Sequence, residues 1–358
     1  MQSRRTSALR AAVATLLLFS APLALPGKAF AQEKDSFSVC WSIYAGWMPW
    51  GYLEDSGIMD KWAEKYGIDV EIVQINDYVE SINQYTAGQY DGCSMTNMDA
   101  LSIPAGGGVD STVLVAGDFS NGNDGIVLKE GASVAELAGQ NVNLVELSVS
   151  HYLLARALEG AGLSERDLTV VNTSDADMIA AYQTPDVTSV VTWNPLLAEI
   201  AATDGSTLVF DSAEIPGEII DAMVVNTETL NANPDFGKAL TGAWYEVMGL
   251  MQAGDEAALT AMAEAAGTDL AGYQAQLEKT RMFYDPAEAV EFVRSGDLPK
   301  TMEFVATFLF DKGILGEGAP SAEFVGVAFP DGSVYGDENN VKLRFDDSYM
   351  QMAVDGAL

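Results

Sequence analysis

Histidine and positive charge are what this chain has least of. One histidine, His151, stands among 358 residues, and 18 Lys plus Arg face 52 Asp plus Glu, a formal net charge of −34. A lone histidine excludes HExxH zinc enzymes and histidine-rich metal sites, and leaves one candidate for a Ser–His or Cys–His nucleophile pair. The acidic balance repels phosphate backbones, which excludes nucleic-acid binding, and it disfavours anionic lipid surfaces. No G-x-S-x-G occurs, and Gly106-Gly107-Gly108 has no following Lys-Ser or Lys-Thr, so it reads as a turn and not a phosphate loop. The acid- and amide-rich run Asp118 to Gly125 lacks the ligand spacing and closing Glu of an EF-hand and reads first as a crossover loop. Neither a metal nor a cofactor is expected. Past residue 31, no segment reaches the roughly 20 apolar residues of a transmembrane helix.

What is there is the composition of a folded protein: 48% hydrophobic and 20% charged, with 33 Gly and 12 Pro. The length suggests roughly two domains. Arg4, Arg5 and Arg10 precede an apolar stretch from Ala11 to Leu25, and Ala29-Phe30-Ala31 follows with small-x-small spacing. This is a secretory signal over residues 1–31, cleaved before Gln32. Its removal takes four basic residues and no acidic one, leaving 14 against 52. The mature protein is expected to be exported, soluble and monomeric. Its acidity reads first as a solubility surface and second as a field that draws in a cation. Export permits a disulfide between Cys40 and Cys93, which lie in short strand-like runs; two buried free thiols are the alternative.

Strand and helix alternate along the mature chain. Phe37 to Ile43, Asp69 to Ile75, Asp91 to Thr96 and Thr112 to Ala116 read as strands, with helices between them at Gly57 to Tyr66 and Val79 to Ala87. A second cycle runs from Gly125 to Phe210, with helices at His151 to Leu158, Ala176 to Tyr182 and Pro195 to Ala202. Long helices follow at Phe236 to Met251, Glu256 to Ala265 and Thr301 to Asp311, and Val325 to Ala353 reads as turn-rich. The pattern is α/β with mostly parallel sheets. One cycle stops near Ser120 and the next starts near Gly125, as two lobes joined by short strands would. Strand ends facing across a cleft between such lobes make a ligand site.

Candidate site residues lie at those strand ends. Trp41 to Tyr52 holds five aromatics in twelve residues, among them Trp41, Tyr44 and Trp47, suited to a planar or cationic ligand. Asp77 and Tyr78 follow the second strand, with Asp77 either a ligand carboxylate or a helix cap. Asn97 and Asp99 end the third strand. Glu146 and Ser148 precede a helix whose N-terminus would suit an anion, but Glu146 would repel one. His151 falls inside that helix and reads as structural. Trp193 and Asn194 end another strand ahead of Pro195. Of the acids, the sequence does not rank Asp77 and Glu146 above Asp99, Asp118 or Asp221.

The order of these segments carries a resemblance. The aromatics of the first strand, Gln84 to Asp91, Ser148 to Leu158 and Trp193-Asn194-Pro195 resemble the sulfonate- and taurine-type periplasmic binding proteins of ABC transporters over roughly residues 36–300. The resemblance implies a two-lobe periplasmic binding protein of type II, each lobe a mostly parallel sheet flanked by helices, with two crossovers. It places lobe one at 33–120 plus 222–358 and lobe two at 121–221. It implies no catalytic activity, and an inner-membrane permease as partner. Leu147 stands where sulfonate binders usually have Gly, and Asn194 where the family has Asp. The strings CWSIYAGWMPWGY, INDYVESINQYTAG, TNMDAL and VKLRFDDSYM are similar to a narrower branch, encoded beside urea carboxylase. That branch implies guanidine or a urea-like ligand; the strand-end residues would hold it with Trp41, Tyr44, Trp47 and Trp193 as faces and Asp77 and Glu146 as charges, and Tyr78, Asn97, Ser148 and Asn194 complete the expected site. A sulfonate, a thiamine-type pyrimidine, or hydrolysis through His151 are the rival expectations.

Overall fold

The computed structural model describes residues 34–316 and 318–358, so the expected signal segment lies outside the described residues. Two mixed sheets organise it. The first runs through β1 (Ser36–Trp41), β2 (Asp69–Gln74), β3 (Gly92–Thr96) and β4 (Ser111–Ser120). The chain then leaves for a second sheet: β5 (Asp124–Leu128), β6 (Asn141–Leu144), β7 (Thr169–Asn172), β8 (Ser189–Trp193) and β9 (Thr207–Asp211). It returns through β10 (Ile220–Asn226), adds β11 (Thr280–Met282), and ends with β12 (Gly326–Ala328), β13 (Val334–Tyr335) and β14 (Val341–Phe345). Spatial order is β13-β12-β14-β4-β10-β3-β1-β2, with β11 also on β4, and β7-β6-β8-β5-β9.

The sheets are less parallel than the alternation of strand and helix suggested. β10 runs antiparallel between β3 and β4, and β5 runs antiparallel between β8 and β9. Each is the strand that arrives from the other sheet. Coming straight over without a helix, it enters opposite to its neighbours, because a parallel entry needs a long crossover. The α/β fold thus has two lobes, and two short crossovers link them, residues 121–123 and 212–219. Ser212 ties the crossovers together: its hydroxyl meets the Ser120 hydroxyl at 2.7 Å and accepts from the Gly122 N–H at 2.7 Å.

Most expected helices form within a residue or two of their patterns. The aromatic run after β1 does not stay a loop, because Pro49 at the first turn of Met48–Asp55 starts a helix there. That helix turns Trp50 away from the strand end to stack on Trp244, with ring centres 4.6 Å apart in the core. The turn-rich stretch Val325 to Ala353 contains three strands and a final helix, Ser348–Val354; its Pro330-Asp331-Gly332 turn joins β12 to β13. Cys40 and Cys93 sit opposite each other on β1 and β3 and are disulfide-bonded. Among the described residues, no helix is long and apolar enough to cross a membrane.

Candidate functional site

Four rings gather where the sheets meet. Tyr44 and Trp47 come from the turn after β1, Tyr78 from the start of the helix Tyr78–Thr86, and Trp193 from the end of β8. Tyr44 meets Trp47 edge-on at 5.1 Å, Trp47 meets Tyr78 at 5.6 Å, and Tyr78 meets Trp193 edge-on at 5.5 Å. With Thr96, Val149, Asp124 and Asp221 they line one small cavity. It encloses about 230 Å³ between atoms, of which only about 10 Å³ admits the centre of a water molecule. No Lys or Arg is among the lining residues.

The acids are the chemistry of this cavity. Asp118 and Asp221 face each other across β4 and β10, both fully buried. One carboxylate oxygen of each, Oδ2, has no hydrogen-bond partner. The Tyr44 hydroxyl donates to Asp118 Oδ1 at 3.3 Å. Asp124, at the start of β5, accepts from the Ser120 hydroxyl at 2.5 Å. Burial away from water disfavours the charged forms and pushes Asp118 and Asp124 up to about 7; Asp221 is raised well above the usual carboxylate range by the same burial and by Asp118 beside it. Like charges directly opposite on neighbouring strands are destabilising, so this arrangement needs either shared protons or a cation. Gly46 makes room for it: a Cβ there would lie 2.6 Å from Asp118 Oδ2.

Asp99, a fourth buried acid, takes three hydrogen bonds on one oxygen, Oδ2. It accepts from the Tyr78 hydroxyl at 2.6 Å, the Thr96 hydroxyl at 3.0 Å and the Val149 backbone N–H at 3.3 Å. Burial raises it to about 6, against the pull of these three bonds. Several other contacts cross between the lobes. Trp193 Nε1 donates to the Ile43 carbonyl at 3.1 Å, the Ala45 N–H to the Asn194 carbonyl at 3.1 Å, Ser174 to Asp77 at 2.9 Å, and the Tyr78 N–H to Asp175 at 3.2 Å. The lobes are closed on the cavity.

Of the residues expected from sequence, Tyr44, Trp47, Tyr78 and Trp193 are brought together here. Six are placed elsewhere. Trp41 lies in the core against Gly51, where a Cβ would be 2.5 Å from its ring. Asp77 caps the helix Tyr78–Thr86, accepting from the Glu80 N–H. Asn97 pins the second crossover, donating to the Glu218 carbonyl and accepting from the Ile220 N–H. Glu146 is exposed, and its neighbour Leu147 takes φ 64°, a left-handed conformation that favours glycine. Ser148 caps the helix Val149–Gly160. Asn194 pairs with Asn123 at 2.6 Å and borders a wider groove of about 620 Å³ outside the cavity. His151 is structural: its Nδ1 accepts from the Leu147 N–H at 3.2 Å and its Nε2 faces Glu165 at 3.1 Å. Asp124 and Asp221 are the lining acids. Asp124 was legible only within the run Asp118 to Gly125, which read first as a crossover loop; Asp221 stood among the unranked acids and was not placed, because β10 gave no separate strand pattern.

A family model described as NMT1/THI5 like matches residues 62–258, more than half of the chain. A protein of Brucella abortus named as a binding protein is 23% identical over 239 residues, 66% of this chain and 73% of its own length. The taurine-binding periplasmic protein of Escherichia coli is 26% identical over 129 residues, 35% of this chain and 40% of that one. Among solved structures, the alkanesulfonate-binding protein SsuA of Xanthomonas axonopodis pv. citri, bound to MOPS, superposes with a TM-score of 0.65 at 16% identity, covering 80% of this chain and 96% of that one. At this identity the likeness is one of fold: two lobes of a periplasmic binding protein.

Proposed function

Because the chain belongs to the NMT1/THI5-like family, we propose that it is the solute-binding component of an ABC importer whose ligand is a small planar cation, guanidine before others. In this reading it is exported through a cleaved signal over residues 1–31, works as a monomer in the periplasm, and hands its ligand to an inner-membrane permease without catalysis. Lobe one comprises 33–120 plus 222–358 and lobe two 121–221, a division supported by the crossovers at 121–123 and 212–219.

One observation carries the ligand assignment: buried carboxyl groups entering a closed aromatic cavity with no cationic side chain in its wall. Guanidinium is flat, permanently charged and a donor on every edge, so it suits ring faces together with carboxylate acceptors. The cavity is also small. With room for about one water molecule, it must widen for any organic ligand, and a ligand of about four heavy atoms asks less widening than the chain of a taurine or an aliphatic sulfonate. An oxyanion would sit against Asp124 and Asp221 with nothing to neutralise it.

A second reading is favoured by Trp47, whose indole N–H is buried without an acceptor. The carbonyl of a urea-like ligand would supply one, whereas guanidinium would not. Thermal shift of the purified mature protein against guanidine, urea, taurine and an aliphatic sulfonate separates these. The reading expects guanidine to raise the melting temperature in proportion to the logarithm of its concentration, with urea far weaker and the sulfonates inert. Stabilisation by taurine or the sulfonate and not by guanidine overturns it.

A further inference from the structure

The N-terminus of the helix Val149–Gly160 points its first N–H groups toward the lobe interface, and a helix end of this kind is an anion site by default. Here every one of those groups already has a partner. The Val149 N–H donates to Asp99 Oδ2 at 3.3 Å, the Ser150 N–H to the Ser148 hydroxyl at 3.2 Å, and the His151 N–H to the Ser148 carbonyl at 2.9 Å. The preceding Leu147 N–H goes to His151 Nδ1 at 3.2 Å. Of these partners, one comes from the other lobe and can carry a negative charge: Asp99, on the short helix Asn97–Ala100 that follows β3.

We propose that Asp99 occupies the anion position of the lobe-two helix, so that closing the lobes inserts a carboxylate of the protein's own where an oxyanion would bind. Asp99 is 2% exposed, and its other two donors, the Tyr78 and Thr96 hydroxyls, hold it in line with Val149. It is therefore a specificity-determining residue in two respects. It excludes sulfonates and sulfate by taking up the Val149 N–H and by repelling their charge. It also joins the positive end of a lobe-two helix to Tyr78, a wall of the ligand cavity, so closure and the shape of that wall depend on one side chain. The exclusion of anions stands on the hydrogen-bond accounting alone, while the effect on ligand affinity rests on the cation reading of the cavity.

The test compares wild type, Asp99→Ala and Asp99→Asn by calorimetry with sodium sulfate, methanesulfonate and guanidinium chloride, at constant ionic strength. Asp99→Ala frees the Val149 N–H and removes the charge, so it should gain saturable oxyanion binding that wild type lacks. Its guanidine affinity should fall about tenfold or more as closure weakens. Asp99→Asn keeps an acceptor for Val149 and loses only the charge, so it should hold guanidine better than Asp99→Ala does and still bind oxyanions more strongly than wild type. Should Asp99→Ala fail to fold, judged by its circular dichroism, the Asn variant alone decides. Folded variants that bind oxyanions no better than wild type overturn the proposal, as does a wild type that binds them itself. A gain of oxyanion binding alongside a wild type blind to guanidine would keep the role of Asp99 and remove the cation reading instead.

Discussion

Asp118 and Asp221 stand opposite each other on β4 and β10, buried, each with one oxygen unpartnered. Two buried acids there cost stability unless they share protons or meet a cation. Asp221 and Asp124 reach the cavity, so Asp221→Asn and Asp124→Asn should each cost roughly 2–5 kcal/mol of guanidine binding, tens to thousands-fold in Kd, and change urea binding little. Asp77→Asn and Glu146→Gln should change it far less, because Asp77 caps a helix and Glu146 faces solvent. The same acids set a pH dependence. Asp118 and Asp124 are raised to about 7 in the folded protein and titrate near 4 when unfolded, so the folded state binds more protons between those values. Their stabilising effect is full below about pH 4 and is lost as pH rises through 7. Asp99 and Asp175, each raised to about 6 by burial, lose their protons in the lower part of the range from pH 5.5 to 8.5 and act in the same direction. The ligand-free melting temperature should fall across that window, and Asp221→Asn should flatten the fall. A wild-type curve flat from pH 5.5 to 8.5 would count against protonated acids in the cavity.

At the scale of elements, the disulfide joins β1 to β3, the two strands whose ends launch Tyr44 and Thr96 into the site. It closes a loop with a sequence separation of 53, for which chain entropy gives about 4 kcal/mol. Reduction should lower the melting temperature by several degrees and, by loosening the strand ends, weaken ligand binding; an unchanged melt in strong reductant would show that the bond contributes nothing. Periodicity made β1 to β4 and the second cycle legible because each is a short β-rich run set off by turn residues. It missed β10, whose continuously apolar Ala222 to Val225 is buried on both faces and alternates with nothing. That omission left Asp221 one unranked acid among several, since an acid reads as a strand end only once its strand is seen. The aromatic run after β1 was legible as a site but not residue by residue. Helix Met48–Asp55 sends Trp50 into the core and leaves Trp47 at the cavity, and a single helical turn decides between them. Leu147 takes φ 64°, in the left-handed region where glycine is favoured. Leu147→Gly should therefore stabilise the protein by about 1 kcal/mol, read from its denaturation midpoint.

The whole molecule is two lobes joined by two short crossovers and meeting over a cavity with room for about one water molecule. The cavity admits about one water molecule, so the lobes must part for a larger ligand to enter, and the crossovers joined through Ser212 are where they can turn. Ligand-free protein should be more open in solution than ligand-bound protein, and small-angle scattering should record a smaller radius of gyration at saturating guanidine. Identical scattering curves would mean that the lobes do not move. The central claim is that protonated acids exchange their protons for an organic cation. Calorimetric titration of guanidine at pH 6.5 in buffers of different ionisation enthalpy tests it most directly, because the observed heat then counts protons. The account predicts net release of protons on binding and tighter binding at pH 8 than at pH 5.5, since guanidinium keeps its charge throughout while the carboxyls lose their protons. Binding without proton release and with no dependence on pH would contradict it.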